Sequence, residues 1–141
     1  MFEPVYGLNS LVMAHGGNVT QKTVLLVDDM ETVLLFEKTL LRGFGVALKT
    51  AKNGAAALAE IAKSPPDLVL LDVMMPELDG IETCRRIKQD PATRHIPVVI
   101  VTTKGEPEMV QKAREAGCDD FITKPLNKAE LLSKVNSYLD K

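Results

Sequence analysis

Asp28 and Asp29 stand side by side directly after the apolar run Val24-Leu25-Leu26-Val27, and Asp72 directly follows Leu68-Val69-Leu70-Leu71. Thr102 follows Val98-Val99-Ile100-Val101, and Phe121-Ile122 leads through Thr123 to Lys124-Pro125. Four separate apolar runs therefore end on three carboxylates, a hydroxyl and an ammonium. Runs this short, partly β-branched and bounded by polar or turn residues, suit strands buried on both faces. If such strands lie parallel in one sheet, their ends share its carboxyl edge, where open α/β sheets bind ligands at the reversal of strand order. Three carboxylates gathered there repel one another, and at neutral pH they need a cation or raised pKa values. One ammonium cannot balance three acids. Mg²⁺ can, because it binds one or two carboxylates together with phosphate oxygens and water. A carboxylate is also a competent nucleophile at phosphorus. Phosphoryl transfer asks mainly for positioning and charge neutralisation, which the ion, Lys124 and the Thr102 hydroxyl would supply. The residue types point to metal-assisted phosphorylation of an aspartate.

The segments between these runs have helical length. Residues 30–42 hold Val33, Leu34, Glu37, Leu40 and Leu41 at helical spacing. Asn53-Gly54 opens an alanine-rich helix to about Ala62, closed by Ser64-Pro65-Pro66. Ile81, Cys84 and Ile87 mark a third helix, ending before Asp90-Pro91. Pro107 suits the first turn of a fourth, with Met109, Val110 and Ala113 on it and a stop at Gly117. A fifth runs from Lys128 to Leu139 with Leu131, Leu132, Val135 and Leu139 inward. With Val46-Ala47-Leu48 as a further strand, five strands alternate with five helices. That pattern predicts an α/β fold, a doubly wound five-stranded parallel sheet with helices on both faces. A flavodoxin-like order 2-1-3-4-5 places the switch point between the first and third strands, the two that end in acids. Residues 1–22, with Gly7, Asn9, Ser10, Gly16, Gly17 and Asn18 and no clean period, read as an N-terminal extension, a mobile tail or a start-site artefact; residues 23–141 read as the domain.

Composition narrows the function classes. The 141 residues are 45% hydrophobic and 26% charged, enough for one compact soluble domain without disulfide or metal staples. Seventeen basic against nineteen acidic residues, no Trp and 4% aromatics argue against direct nucleic-acid binding by bulk charge or base stacking. Cys84 and Cys118 form no CxxC arrangement, which fits a reducing setting. No apolar run approaches the length of a membrane span, and no Lys or Arg precedes Lys22 to form a secretory signal. A cytoplasmic protein without membrane insertion is expected.

The set Asp28-Asp29, Asp72 with Met74-Met75-Pro76 and Asp79-Gly80, Thr102, and Phe121 ahead of Lys124-Pro125 resembles the CheY-like receiver domain of bacterial response regulators, over about residues 23–140. The resemblance implies a two-component switch rather than a turnover enzyme, with self-catalysed phosphoryl transfer and slow autodephosphorylation at most. Asp72 would accept a phosphoryl group from a histidine kinase or phosphotransfer protein. Asp28, Asp29, Asp72 and the backbone carbonyl of Met74 would hold Mg²⁺, Asp28 directly or through water. Lys124 would contact the carboxylate and then the phosphoryl oxygens, Thr102 would move toward them, and Phe121 would turn into the space released. The Lys124-Pro125 bond is expected to be cis. Met74 and Lys104 occupy positions that tune phosphate lifetime in the family, and an apolar side chain with a nearby cation there suggests a long-lived phosphoryl group. The output face would be the fourth helix, fifth strand and fifth helix, with Lys104, Glu108, Gln111, Lys112 and Phe121 on it. The resemblance fits a monomer or a phosphorylation-dependent dimer, and either a stand-alone regulator or a receiver from a longer protein. Phe121 stands where many members have Tyr, so any hydroxyl hydrogen bond of the switch is lost. Asp79-Gly80 reads more simply as a helix start. An aspartyl-phosphate hydrolase would need an acid two residues after Asp72, where Met74 stands. The alternative is a receiver-fold interaction module that acts without phosphorylation.

Overall fold

The computed structural model describes residues 11–13, 19–73, 79–103 and 107–140. In chain order the elements are β1 (Leu11–Met13), β2 (Val19–Gln21), β3 (Thr23–Val27), α1 (Glu31–Leu41), β4 (Ala47–Ala51), α2 (Gly54–Lys63), β5 (Leu68–Asp72), α3 (Gly80–Gln89), β6 (Val98–Thr103), α4 (Pro107–Glu115), β7 (Asp120–Lys124) and α5 (Lys128–Leu139). Within the expected N-terminal extension, β1 and β2 form a separate antiparallel pair. The other five strands build one sheet in the order β4-β3-β5-β6-β7, every neighbouring pair parallel. Counted along the chain, that is second, first, third, fourth, fifth, the flavodoxin-like arrangement.

The alternation of side chains along β3 shows how the sheet is covered. Val24 and Leu26 join Leu34 and Leu41 of α1 and Leu131, Val135 and Leu139 of α5 in one apolar layer. Leu25 and Val27 join Ala57 and Ile61 of α2, Ile81, Cys84 and Ile87 of α3, and Ala113 of α4 in the other. Each fully buried Leu, Ile or Val contributes about 1.5–3 kcal/mol of transfer free energy, so two packed faces hold the central strands firmly. The edge strand β4 differs. It runs on through Lys49 and Thr50 to Ala51, past the apolar stretch visible in the sequence, because its register with β3 extends from Thr23–Ala47 to Val27–Ala51. Polar residues are tolerated on a strand with one open side.

Helix ends follow their local chemistry. Asn53, Asp79 and Asn127 cap α2, α3 and α5, their side chains accepting from the backbone N–H of Ala56, Glu82 and Glu130 at 2.7, 2.8 and 2.9 Å. α4 closes with Cys118 N–H donating to Ala113 O and Gly117 N–H to Arg114 O, a motif that needs the left-handed φ of +96° at Gly117. No helix among the described residues is long and apolar enough to cross a membrane.

Candidate functional site

Strand register assembles the site. β3 pairs Val27 with Leu71 of β5, so the next residues on each strand, Asp28 and Asp72, come side by side at the carboxyl edge. β5 pairs Asp72 with Val101 of β6, and the following residue, Thr102, pairs with Thr123 of β7, one position before Lys124. Asp28, Asp29 and Asp72 each offer an oxygen within 4.8 Å of the others'. The Lys124 ammonium lies 3.5 Å from Asp72 Oδ1 and 3.7 Å from Asp28 Oδ2, ion-pair range to both acids but long for a hydrogen bond.

The environment of each group differs. Asp28 is buried, and its Oδ1 accepts from Met30 N–H at 2.9 Å. Burial pushes its carboxyl pKa up; the Met30 N–H and the Lys124 charge pull it down, and Asp29 adds to the rise. Its Oδ2 is buried with no hydrogen-bond partner. Asp29 is exposed, whereas Asp72 is buried. Thr102 is buried, and its Oγ1 also has no hydrogen-bond partner. Three hard oxygen donors against one ammonium, with a buried carboxylate oxygen left without a hydrogen bond, form a donor set suited to Mg²⁺.

Asp72 is fixed from behind by α3. Gly80 N–H donates to Val73 O at 3.3 Å, and a Cβ at Gly80 would stand 2.1 Å from the Asp72 carbonyl oxygen and 2.7 Å from Val73 Cα. Only glycine lets the helix start this close to the strand end.

A family model described as the response regulator receiver domain matches residues 24–136. The chain belongs to that family. Among curated relatives, the response regulator PleD of Caulobacter vibrioides is 43% identical over 115 residues, which are 81% of this chain and 25% of PleD. The receiver thus spans about a quarter of that relative's length. Protein PilG of Pseudomonas aeruginosa is 37% identical over 82% of this chain and 86% of its own length. Among solved structures, a putative response regulator from Chloroflexus aurantiacus superposes with a TM-score of 0.83 at 34% identity, covering 86% of this chain and all of the other. The receiver domains of two-component response regulators signal through phosphorylation, and this receiver shares their fold and strand order.

The receiver brings Asp28, Asp29, Asp72, Thr102 and Lys124 to one edge, and the Lys124-Pro125 bond is cis. Phe121 is half-buried against the α2–α4 layer. Of the expected output residues, Glu108, Gln111 and Lys112 lie exposed on α4. Met74, with its carbonyl, and Lys104 fall outside the described residues, as does the phosphate-lifetime expectation that rests on them.

Two residues near the site were not assigned a role from sequence. Gly80 read as a helix start, and nothing local reveals that it abuts Asp72. Glu37 is 2% exposed on the inward face of α1 between Leu34 and Leu41, with Oε1 lacking a hydrogen-bond partner. Burial pushes its pKa up to about 8, the Asp28 and Asp72 charges add to the rise, and Lys124 opposes it. An acid on an apolar helical stripe was the available signal.

Proposed function

We propose that this receiver is a switch in which Asp72 accepts a phosphoryl group from the phosphohistidine of a histidine kinase or phosphotransfer protein. The observation that supports it most directly is Asp72 buried at the end of β5, beside Asp28, with the Lys124 ammonium set between the two acids. A carboxylate oxygen of Asp72 attacks the phosphorus and forms the new P–O bond. The P–N bond breaks, and the imidazole leaves with the bonding electron pair, taking a proton from water. Asp28, Asp29 and Asp72 would hold Mg²⁺, which when bound neutralises the acids and the phosphoryl oxygens. Lys124 offers its ammonium to the same oxygens. Thr102 Oγ1, without a hydrogen-bond partner in this state, donates to one of them. Phe121, on the adjoining strand β7, then turns inward and alters the face made by α4, β7 and α5, where a protein partner binds. In this reading residues 23–141 are the switch, a phosphoacceptor rather than a turnover enzyme, and residues 1–22 are an extension outside it.

Intact-protein mass after incubation with Mg²⁺ and acetyl phosphate tests this reading. One phosphoryl adduct is expected on wild type and none with EDTA or on Asp72→Asn. A wild type that binds Mg²⁺ yet takes no adduct overturns phosphorylation as the input and points to a module that binds its partner without it.

A further inference from the structure

Two cations from different helices meet the ring of Phe121. The Arg114 guanidinium of α4 lies 5.3 Å from the ring centroid and the Lys134 ammonium of α5 lies 5.7 Å from it. Both are inside the roughly 6 Å range in which an aromatic ring attracts a cation. Phe121 pairs in register with Ile100 and packs against the layer of α2, α3 and α4. α5 packs in the opposite layer. Lys134 therefore reaches round the outer edge of β7 to meet the ring. Its ammonium is anchored there, donating to Phe121 O at 2.7 Å and to Asp120 Oδ1 at 3.0 Å, with Glu130 at 3.8 Å. The Arg114 guanidinium has no carboxylate partner among the described residues, so the ring is its specific contact.

A tyrosine could hold its orientation through its hydroxyl. Phe121 has none, so what holds its ring half-exposed, against the gain from burying it, must come from other contacts. The cations supply those contacts. We propose that Arg114 and Lys134 are positioning residues that clamp Phe121 in the half-exposed orientation, tying α4 to α5 through the ring, so that its inward turn must break both contacts. The clamp rests on the switch reading of Phe121 above. It gives the resting state a preference that the charge of either residue sets, and it makes the two helices of the output face respond together.

Fluorine NMR of fluorophenylalanine-labelled protein, with the Phe121 resonance assigned by substitution, reports the ring; titration with beryllium fluoride and Mg²⁺ reports affinity for a phosphoryl mimic. At the strength of an exposed cation–ring contact, Arg114→Gln is expected to raise the inward-to-outward ratio and tighten the mimic's affinity roughly two- to fivefold. Lys134→Gln is expected to act in the same direction, and Arg114→Lys to stay close to wild type. In a Phe121→Leu background, Arg114→Gln should no longer change the affinity, because the ring it acts through is gone. The clamp is overturned if Arg114→Gln leaves ring and affinity unchanged while the wild-type ring responds to the mimic, or if its effect persists in the Phe121→Leu background. A wild-type ring that ignores bound mimic overturns the switch reading itself, and the clamp with it.

Discussion

Glu37 is held protonated by burial up to about pH 8, although an unfolded glutamate loses its proton near its ordinary value of 4.5. Below the lower value both states hold the proton and the folded state suffers no penalty. As pH rises the unfolded chain releases its proton first, so the stability present below 4.5 is progressively lost until the folded group ionises around 8. Glu37→Gln, which cannot ionise, is therefore expected to match wild type near pH 4.5 and to be more stable near pH 8, by on the order of a few kcal/mol. Urea denaturation of both proteins across that range checks it, and parallel curves would show that Glu37 does not titrate this way. Asp28 follows the same logic at the site. Burial raises its pKa and the Lys124 charge restrains the rise, so a proton competes with a metal ion for Asp28 as pH falls. Lys124→Ala removes that restraint. Calorimetric Mg²⁺ titrations are expected to place the acid loss of binding at a higher pH in this variant than in wild type; an unmoved or lower midpoint would show that Lys124 does not govern Asp28.

At the scale of elements, the start of α3 does two separable things. Asp79 caps the helix through Glu82 N–H, and Gly80 lets the first turn lie against the Asp72 backbone. Asp79→Ala is expected to cost about 1 kcal/mol, the usual loss of a cap, while Mg²⁺ affinity stays near wild type. Gly80→Ala forces a Cβ into backbone atoms at 2.1–2.8 Å, so strand end and helix must part. It is expected to cost roughly 1–3 kcal/mol and also to weaken Mg²⁺ binding by displacing Asp72. Denaturation midpoints and Mg²⁺ titrations on the two variants separate these outcomes, and equal Mg²⁺ affinity in both would deny Gly80 its link to the site. What the sequence made legible follows from the same local rules. Continuous apolar runs marked β3, β5 and β6 because both their faces are covered, and Asn53, Pro107 and Gly117 marked helix ends by backbone chemistry that needs no tertiary partner. The site was legible because its acids and Thr102 follow those runs directly, and Lys124 stands just beyond the shorter run Phe121-Ile122, with only Thr123 between. Three features needed the folded chain: the extension of β4 through Lys49 and Thr50, which pairing with β3 imposes; the close approach at Gly80, which joins residues eight positions apart in sequence; and the β1–β2 pair, whose three-residue strands show no period.

Across the whole molecule, the site is a seam between strands distant in sequence. Its three acids end β3 and β5, its hydroxyl is on β6 and its ammonium closes β7, so a ligand held there ties together four strands of the central sheet. Binding to the folded state alone stabilises it by mass action, about 2.7 kcal/mol at a hundredfold excess over Kd. For a domain of this size each kcal/mol moves Tm by roughly 3–5 °C, so Mg²⁺ at that excess is expected to raise Tm by about 8–13 °C and EDTA to reverse the change. Because the acids are seated in the two strands at the switch point, added hydrogen-exchange protection is expected in β3 and β5, with little in the exposed turns of α4. Glu37→Gln should keep the response, since Glu37 is not among the acids whose oxygens gather at the site; Asp28→Asn combined with Asp29→Asn should abolish it. Thermal unfolding with and without Mg²⁺ decides the matter: an absent shift in wild type, or an equal one in the double variant, would remove the acidic seam as the point where ion binding and sheet stability meet.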